Sequence, residues 1–75
     1  MKKKDQKPIV LNTVSEHRKQ KDVTQEQLAE AVGVTRQTII AIEKGNYTPS
    51  VTLALAVAGY FKKPVEALFS ITNNY

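Results

Sequence analysis

The sequence predicts a single all-α domain of five helices, with one short N-terminal run suited to a strand. Three observations carry this. Apolar residues recur at helical spacing through most of the chain. Capping residues (Thr24, Thr35, Ser50) precede three of those stretches, and Gly33 and Gly45 follow two of them. Seventy-five residues suffice for one domain only.

Residues 1–7 hold four lysines against Asp5 and no apolar periodicity, so they form a basic, flexible arm. The domain proper is expected over 8–75, short C-terminal tail included. Most of the net charge of +4 therefore sits on the arm, which is either a solvated tail or a phosphate contact. Pro8 to Leu11 (PIVL) is a β-favouring run that would either cap the core or add a strand at a dimer edge.

Asn12 is the expected N-cap of a first helix reaching about Lys21, with Glu16 early and Lys19 and Lys21 late, as the helix dipole favours. Thr24 and Gln27 form a capping box, so the second helix starts at Gln25 and buries Leu28, Ala29 and Val32. Gly33 supplies the left-handed residue that ends it. Thr35 then caps a third helix, in which Ile39, Ile42 and Glu43 cluster opposite Arg36, Gln37, Ile40, Ala41 and Lys44. Two helices joined this tightly meet at a steep angle, the second offered to a partner.

Ser50 caps a fourth helix, Val51 to Phe61, that carries no charge. Its periodicity suggests one apolar face of Val51, Ala54, Val57, Ala58 and Phe61 and a second of Leu53, Ala56 and Tyr60. Gly59 inside it implies a close packing approach. Pro64 opens a short fifth helix, Val65 to Phe69, with Leu68 and Phe69 turned inward. Ile71 and Tyr75 are the apolar positions of the tail.

Composition excludes several functions. The absence of cysteine removes disulfides, thiolate zinc sites and cysteine nucleophiles, and one histidine, His17, makes no metal site. His17 reads as a partly buried structural residue. The carboxylates are scattered over different helices, which argues against an enzyme, and no cofactor or small-molecule effector motif is visible. No run approaches the roughly 20 apolar residues of a membrane span, and Ile9 to Leu11 is too short for a signal peptide, so a cytoplasmic protein is expected.

The run TQEQLAEAVGVTRQTIIAIEKG, Thr24 to Gly45, followed by NYTPS, resembles the Cro/CI-type helix-turn-helix family of phage repressors and small Xre-like bacterial regulators. The resemblance extends from Asn12 to Phe69 and implies the five-helix, lambda-repressor-like DNA-binding fold, in a bacterial or phage-type cytoplasmic regulator that is nucleoid-associated when DNA-bound. It implies that Gln25 anchors the DNA backbone and that Arg36 and Gln37 read bases in the major groove, for which arginine suits guanine and glutamine adenine. Thr35 and Ile40 would meet thymine methyls, and Lys44, Asn46, Tyr47 and Thr48 would serve phosphates. It further implies an ion pair of Arg18 with Glu43 that orients the reading helix. The chain departs from the family pattern at His17, Asp22, Lys62 and Lys63, all away from the reading surface.

These features together predict a homodimeric repressor on an inverted-repeat operator in double-stranded DNA, with Leu53, Ala56, Tyr60 and Ile71 as the dimer surface. The alternative is a protein-binding module, such as an antitoxin or anti-repressor, using the uncharged fourth helix and the apolar tail.

Overall fold

Three of the helices begin where a hydroxyl oxygen accepts a backbone N–H that the helix itself cannot pair. The computed structural model describes residues 9–72; the basic arm over 1–7, Pro8 and Tyr75 lie outside these. Thr24 caps α2 (Gln25–Val32), Thr35 caps α3 (Arg36–Lys44) and Ser50 caps α4 (Val51–Tyr60). They are flanked by β1 (Ile9–Asn12), α1 (Val14–Gln20), α5 (Val65–Leu68) and β2 (Phe69–Thr72). None of the described helices is long and apolar enough to cross a membrane.

Gly33 and Gly45 end α2 and α3 at φ 82° and 81°. A Cβ would touch nothing at either position, so backbone conformation and not space requires glycine there. The chain adopts the same left-handed conformation at Asp22 and Lys62, both at φ 57°. The turns are therefore kept without the residue that suits them best.

The core is one cluster of Val14, Leu28, Ala29, Ile39, Ile42, Leu53, Val57, Ala58, Phe61 and Leu68. Every helix contributes to it. On α4 the inward stripe is Leu53, Val57, Ala58 and Phe61, while Val51 is 75% and Leu55 54% exposed. This corrects the face expected from periodicity: Leu53 belongs to the monomer core and Val51 to the surface. A helix without a polar stripe carries no pattern to fix its rotation, so the packing of its neighbours decides. Gly59 is exposed, with no atom from outside its own stretch of helix within 4 Å of where a Cβ would stand, and the expected close approach is not there.

The segment before α1 is tied to the one after α5. β1 and β2 pair antiparallel, Ile9 with Thr72, Val10 with Ile71, Leu11 with Ser70 and Asn12 with Phe69. Ile9, Val10 and Leu11 thus pair within their own chain, and α5 stops at Leu68 because Phe69 turns extended, at φ −132° and ψ 138°. Pro64 stands as the N-cap, one place before the helical position expected for it.

Asn12 closes β1, and the helix cap passes to Thr13, whose side chain makes no cap hydrogen bond. Asn12 Oδ1 accepts the Val14 N–H at 3.1 Å, and its Nδ2 donates to the Ile42 carbonyl at 2.8 Å. Thr13 fastens the start of α1 to α5 with its N–H to Leu68 O and its hydroxyl to Ala67 O, both at 2.9 Å. His17 is half-buried; its Nδ1 lies 2.9 Å from the Thr13 carbonyl and its ring 5.8 Å from that of Phe61. These contacts give it a structural place.

Candidate nucleic-acid interface

The start of α2 is set by reciprocal bonds: the Gln27 N–H donates to Thr24 Oγ1 at 3.0 Å, and the Thr24 N–H to Gln27 Oε1 at 2.9 Å. Three residues, Gly33 to Thr35, separate the end of α2 at Val32 from the start of α3 at Arg36, and the left-handed Gly33 reverses the chain within them. Thr35 Oγ1 accepts the Thr38 N–H at 3.3 Å and lies 3.2 Å from Thr38 Oγ1, so its hydroxyl is engaged as a cap.

Burial divides α3 into two sides. Ile39 and Ile42 are essentially inaccessible and lock the helix to the core, whereas Thr35, Arg36, Gln37 and Lys44 are exposed and Ile40 and Ala41 half-buried. Ile40 therefore presents part of its side chain on the outer side. Beyond Gly45, Asn46, Tyr47 and Thr48 are exposed on the following loop. The one ion pair among the described residues lies elsewhere, so the guanidinium of Arg36 and the ammonium of Lys44 face solvent without an anionic partner.

That ion pair joins Arg18 to Glu43. Arg18 Nε donates to Glu43 Oε2 at 2.8 Å and Nη2 to Oε1 at 3.2 Å, with only 13% and 8% of the two side chains exposed. Arg18 Nη1 also donates to the Val23 carbonyl at 2.9 Å. Two parallel bonds of this kind fix an angle as well as a distance. The pair therefore ties the end of α3 to α1 and to the linker before α2.

Gln25 joins the same network. Its Nε2 donates to Glu43 Oε1 at 3.0 Å, a link between residues 18 apart that no local pattern announces. A cleft of about 690 Å³ opens above the group between the end of α1 and the starts of α2 and α3, with Arg18, Gln25 and Arg36 in its walls. Glu26 lies in that cleft as well as in a smaller one it shares with Glu30, Thr35 and Arg36, so Arg36 has carboxylates on the neighbouring helix.

The four residues expected at a dimer surface differ in burial. Leu53 is in the core, and Tyr60 is half-buried with its ring edge-on to Phe61 at 5.1 Å. Ala56 is exposed. Ile71, 63% exposed, instead joins Val10, Val51, Ala54, Val65 and Phe69 around an uncharged apolar groove of about 250 Å³. Val51 and this groove were missed because their exposure follows from the rotation of α4 and from a strand too short to leave a periodic signal.

The arrangement matches known proteins over most of its length. The helix-turn-helix family model matches residues 14–68. An uncharacterized HTH-type transcriptional regulator of Methanothermobacter thermautotrophicus is 64% identical over 45 residues, 60% of this chain and 65% of that protein, slightly under two thirds of its length. An uncharacterized HTH-type transcriptional regulator of Methanocaldococcus jannaschii is 48% identical, and the HTH-type transcriptional regulator YgzD of Bacillus subtilis 50% identical, each over 77% of this chain and 88% of the relative. With the five helices, the capped turn and the two-sided α3, these matches show that the chain belongs to the Cro/CI-type (Xre-like) helix-turn-helix family of DNA-binding transcriptional regulators.

Proposed function

We propose that the protein is a homodimeric repressor that lays α3 of each subunit in the major groove of one half of an inverted-repeat operator. The observation that supports this best is the split of α3: Ile39 and Ile42 anchor it while Arg36 and Gln37 stand exposed at its N-terminal end. In this reading Arg36 grips guanine O6 and N7, Gln37 grips adenine N6 and N7, and the methyls of Thr35 and Ile40 meet thymine. Gln25, Lys44, Asn46, Tyr47 and Thr48 bond phosphates and set the register, and the lysines of residues 1–7 add sequence-independent attraction. Two-fold symmetry places half-sites about 10–10.5 bp apart, or a multiple of that. Binding occludes a promoter in the cytoplasm, with no cofactor.

The dimer surface in this proposal moves to the groove bearing Val51 and Ile71. That patch holds both projecting apolar side chains and a groove to receive them, which is what an isologous contact requires of one surface. Its lining carries no charge, so no like charges face one another across such a contact.

Selection of bound sites from random duplexes tests the proposal. An enriched inverted repeat is expected; a single half-site would refute the dimer, and no enrichment would refute sequence-specific binding. The second reading, a protein-binding module such as an antitoxin, draws on the same exposed apolar patch. A stoichiometric protein partner in a pull-down, with no duplex enriched, would favour it.

A further inference from the structure

The amide of Gln25 is already held in the free protein. We infer that Glu43 is a positioning residue for DNA binding: through the bond from Gln25 Nε2 it presets the amide that meets the phosphate backbone. The inference rests on the DNA-binding reading above.

An amide nitrogen has two protons in a fixed plane. With one on Glu43 Oε1, the other is the single side-chain donor left to Gln25, and its direction is fixed. It leaves from the start of α2, where Thr24 already takes the N–H of Gln27 and the helix has no partner for the N–H groups of Gln25 and Glu26. The unpaired backbone N–H groups and the remaining side-chain donor thus belong to one helix start, where an anion is favoured. Glu43 can act as a rigid acceptor because Arg18 holds both of its oxygens and is itself held by the Val23 carbonyl. A lone carboxylate this close would repel a phosphate, and the guanidinium of Arg18 cancels that charge. Since Glu43 belongs to the last turn of α3, the phosphate anchor of α2 is registered directly to the far end of the reading helix. Without this acceptor the glutamine side chain must be frozen at the moment of binding, which corresponds to about a tenfold loss of affinity.

The test is a cycle on a selected duplex. Arg18→Met with Glu43→Met replaces the buried pair by apolar groups of similar volume, a change such sites often accept without loss of stability. Combining it with Gln25→Ala gives the fourth corner. We expect the paired variant to fold as judged by its melting curve, to bind about tenfold more weakly, and to cost almost nothing further once Gln25 is alanine. Losses that simply multiply would overturn the inference, because a merely structural pair disturbs α3 whatever stands at position 25. Side-chain ¹⁵N relaxation provides a readout without DNA. The Gln25 amide should be as rigid as the backbone in the natural protein and mobile in the paired variant; an amide mobile in both, or rigid in both, removes the role of Glu43. Failure of the natural protein to bind any duplex would instead refute the DNA-binding reading and leave the relaxation result to decide on Glu43.

Discussion

Asn12 Nδ2 donates to the carbonyl of Ile42 at 2.8 Å, so the end of the first strand is fastened to the last turns of the reading helix across 30 residues of sequence. The Gly45 N–H donates to the same carbonyl at 2.9 Å, so losing Asn12 weakens that carbonyl's pairing without orphaning it. Asn12→Ala should cost about 1 kcal/mol, read as a lower urea midpoint. Asn12→Asp should cost more, because it sets a carboxylate against a carbonyl oxygen. Equal midpoints for all three proteins would mean the bond contributes nothing.

Two backbone positions should yield stability. Gly59 is an exposed helical glycine with room for a Cβ, and Gly59→Ala should stabilise by about 1 kcal/mol. Lys62 holds φ 57°, and Lys62→Gly should relieve strain by up to about 1 kcal/mol after the added chain entropy is subtracted. Thermal unfolding at fixed protein concentration measures both. A lower melting temperature for Gly59→Ala would mean that α4 does not tolerate the methyl.

Substitutions on α4 should separate the core from the dimer surface. Leu53→Glu buries a charge in the core and should unfold the domain, whereas Val51→Glu and Ile71→Glu should leave helical circular dichroism intact and shift sedimentation to the monomer. A dimer that survives both surface substitutions rules the groove out as the interface.

Arg36→Ala should lose about 1–3 kcal/mol on a selected site and relax preference at one base position, as a bidentate base contact does. An equal loss on random duplexes, with a salt slope lower by about one, would reassign Arg36 to a phosphate.

The Arg18–Glu43 pair should be unforgiving of single changes. With 13% and 8% exposure, it is buried enough that Glu43→Ala alone should cost about 3–5 kcal/mol by leaving the guanidinium unpaired. Denaturant unfolding of the single and paired variants compares the two cases. A single variant no less stable than the pair would mean that water reaches Arg18 freely.

What the sequence determined by itself is local. The capping box of Thr24 and Gln27, the caps Thr35 and Ser50, and the left-handed glycines Gly33 and Gly45 each act over a few residues, so α2, α3 and α4 could be placed with nearly correct ends. The inward turn of Ile39 and Ile42 followed from helical period alone, because α3 has a polar side to contrast with it. Tertiary structure decided what has no local signature. The uncharged α4 could have rotated either way until its neighbours buried Leu53 and left Val51 outside. Ile9–Asn12 and Phe69–Thr72 became strands only by pairing with one another, since neither run is stable alone. The bonds from Asn12 to Ile42 and from Gln25 to Glu43 exist because folding brings distant residues within 3.0 Å, and no spacing in the chain encodes such a meeting.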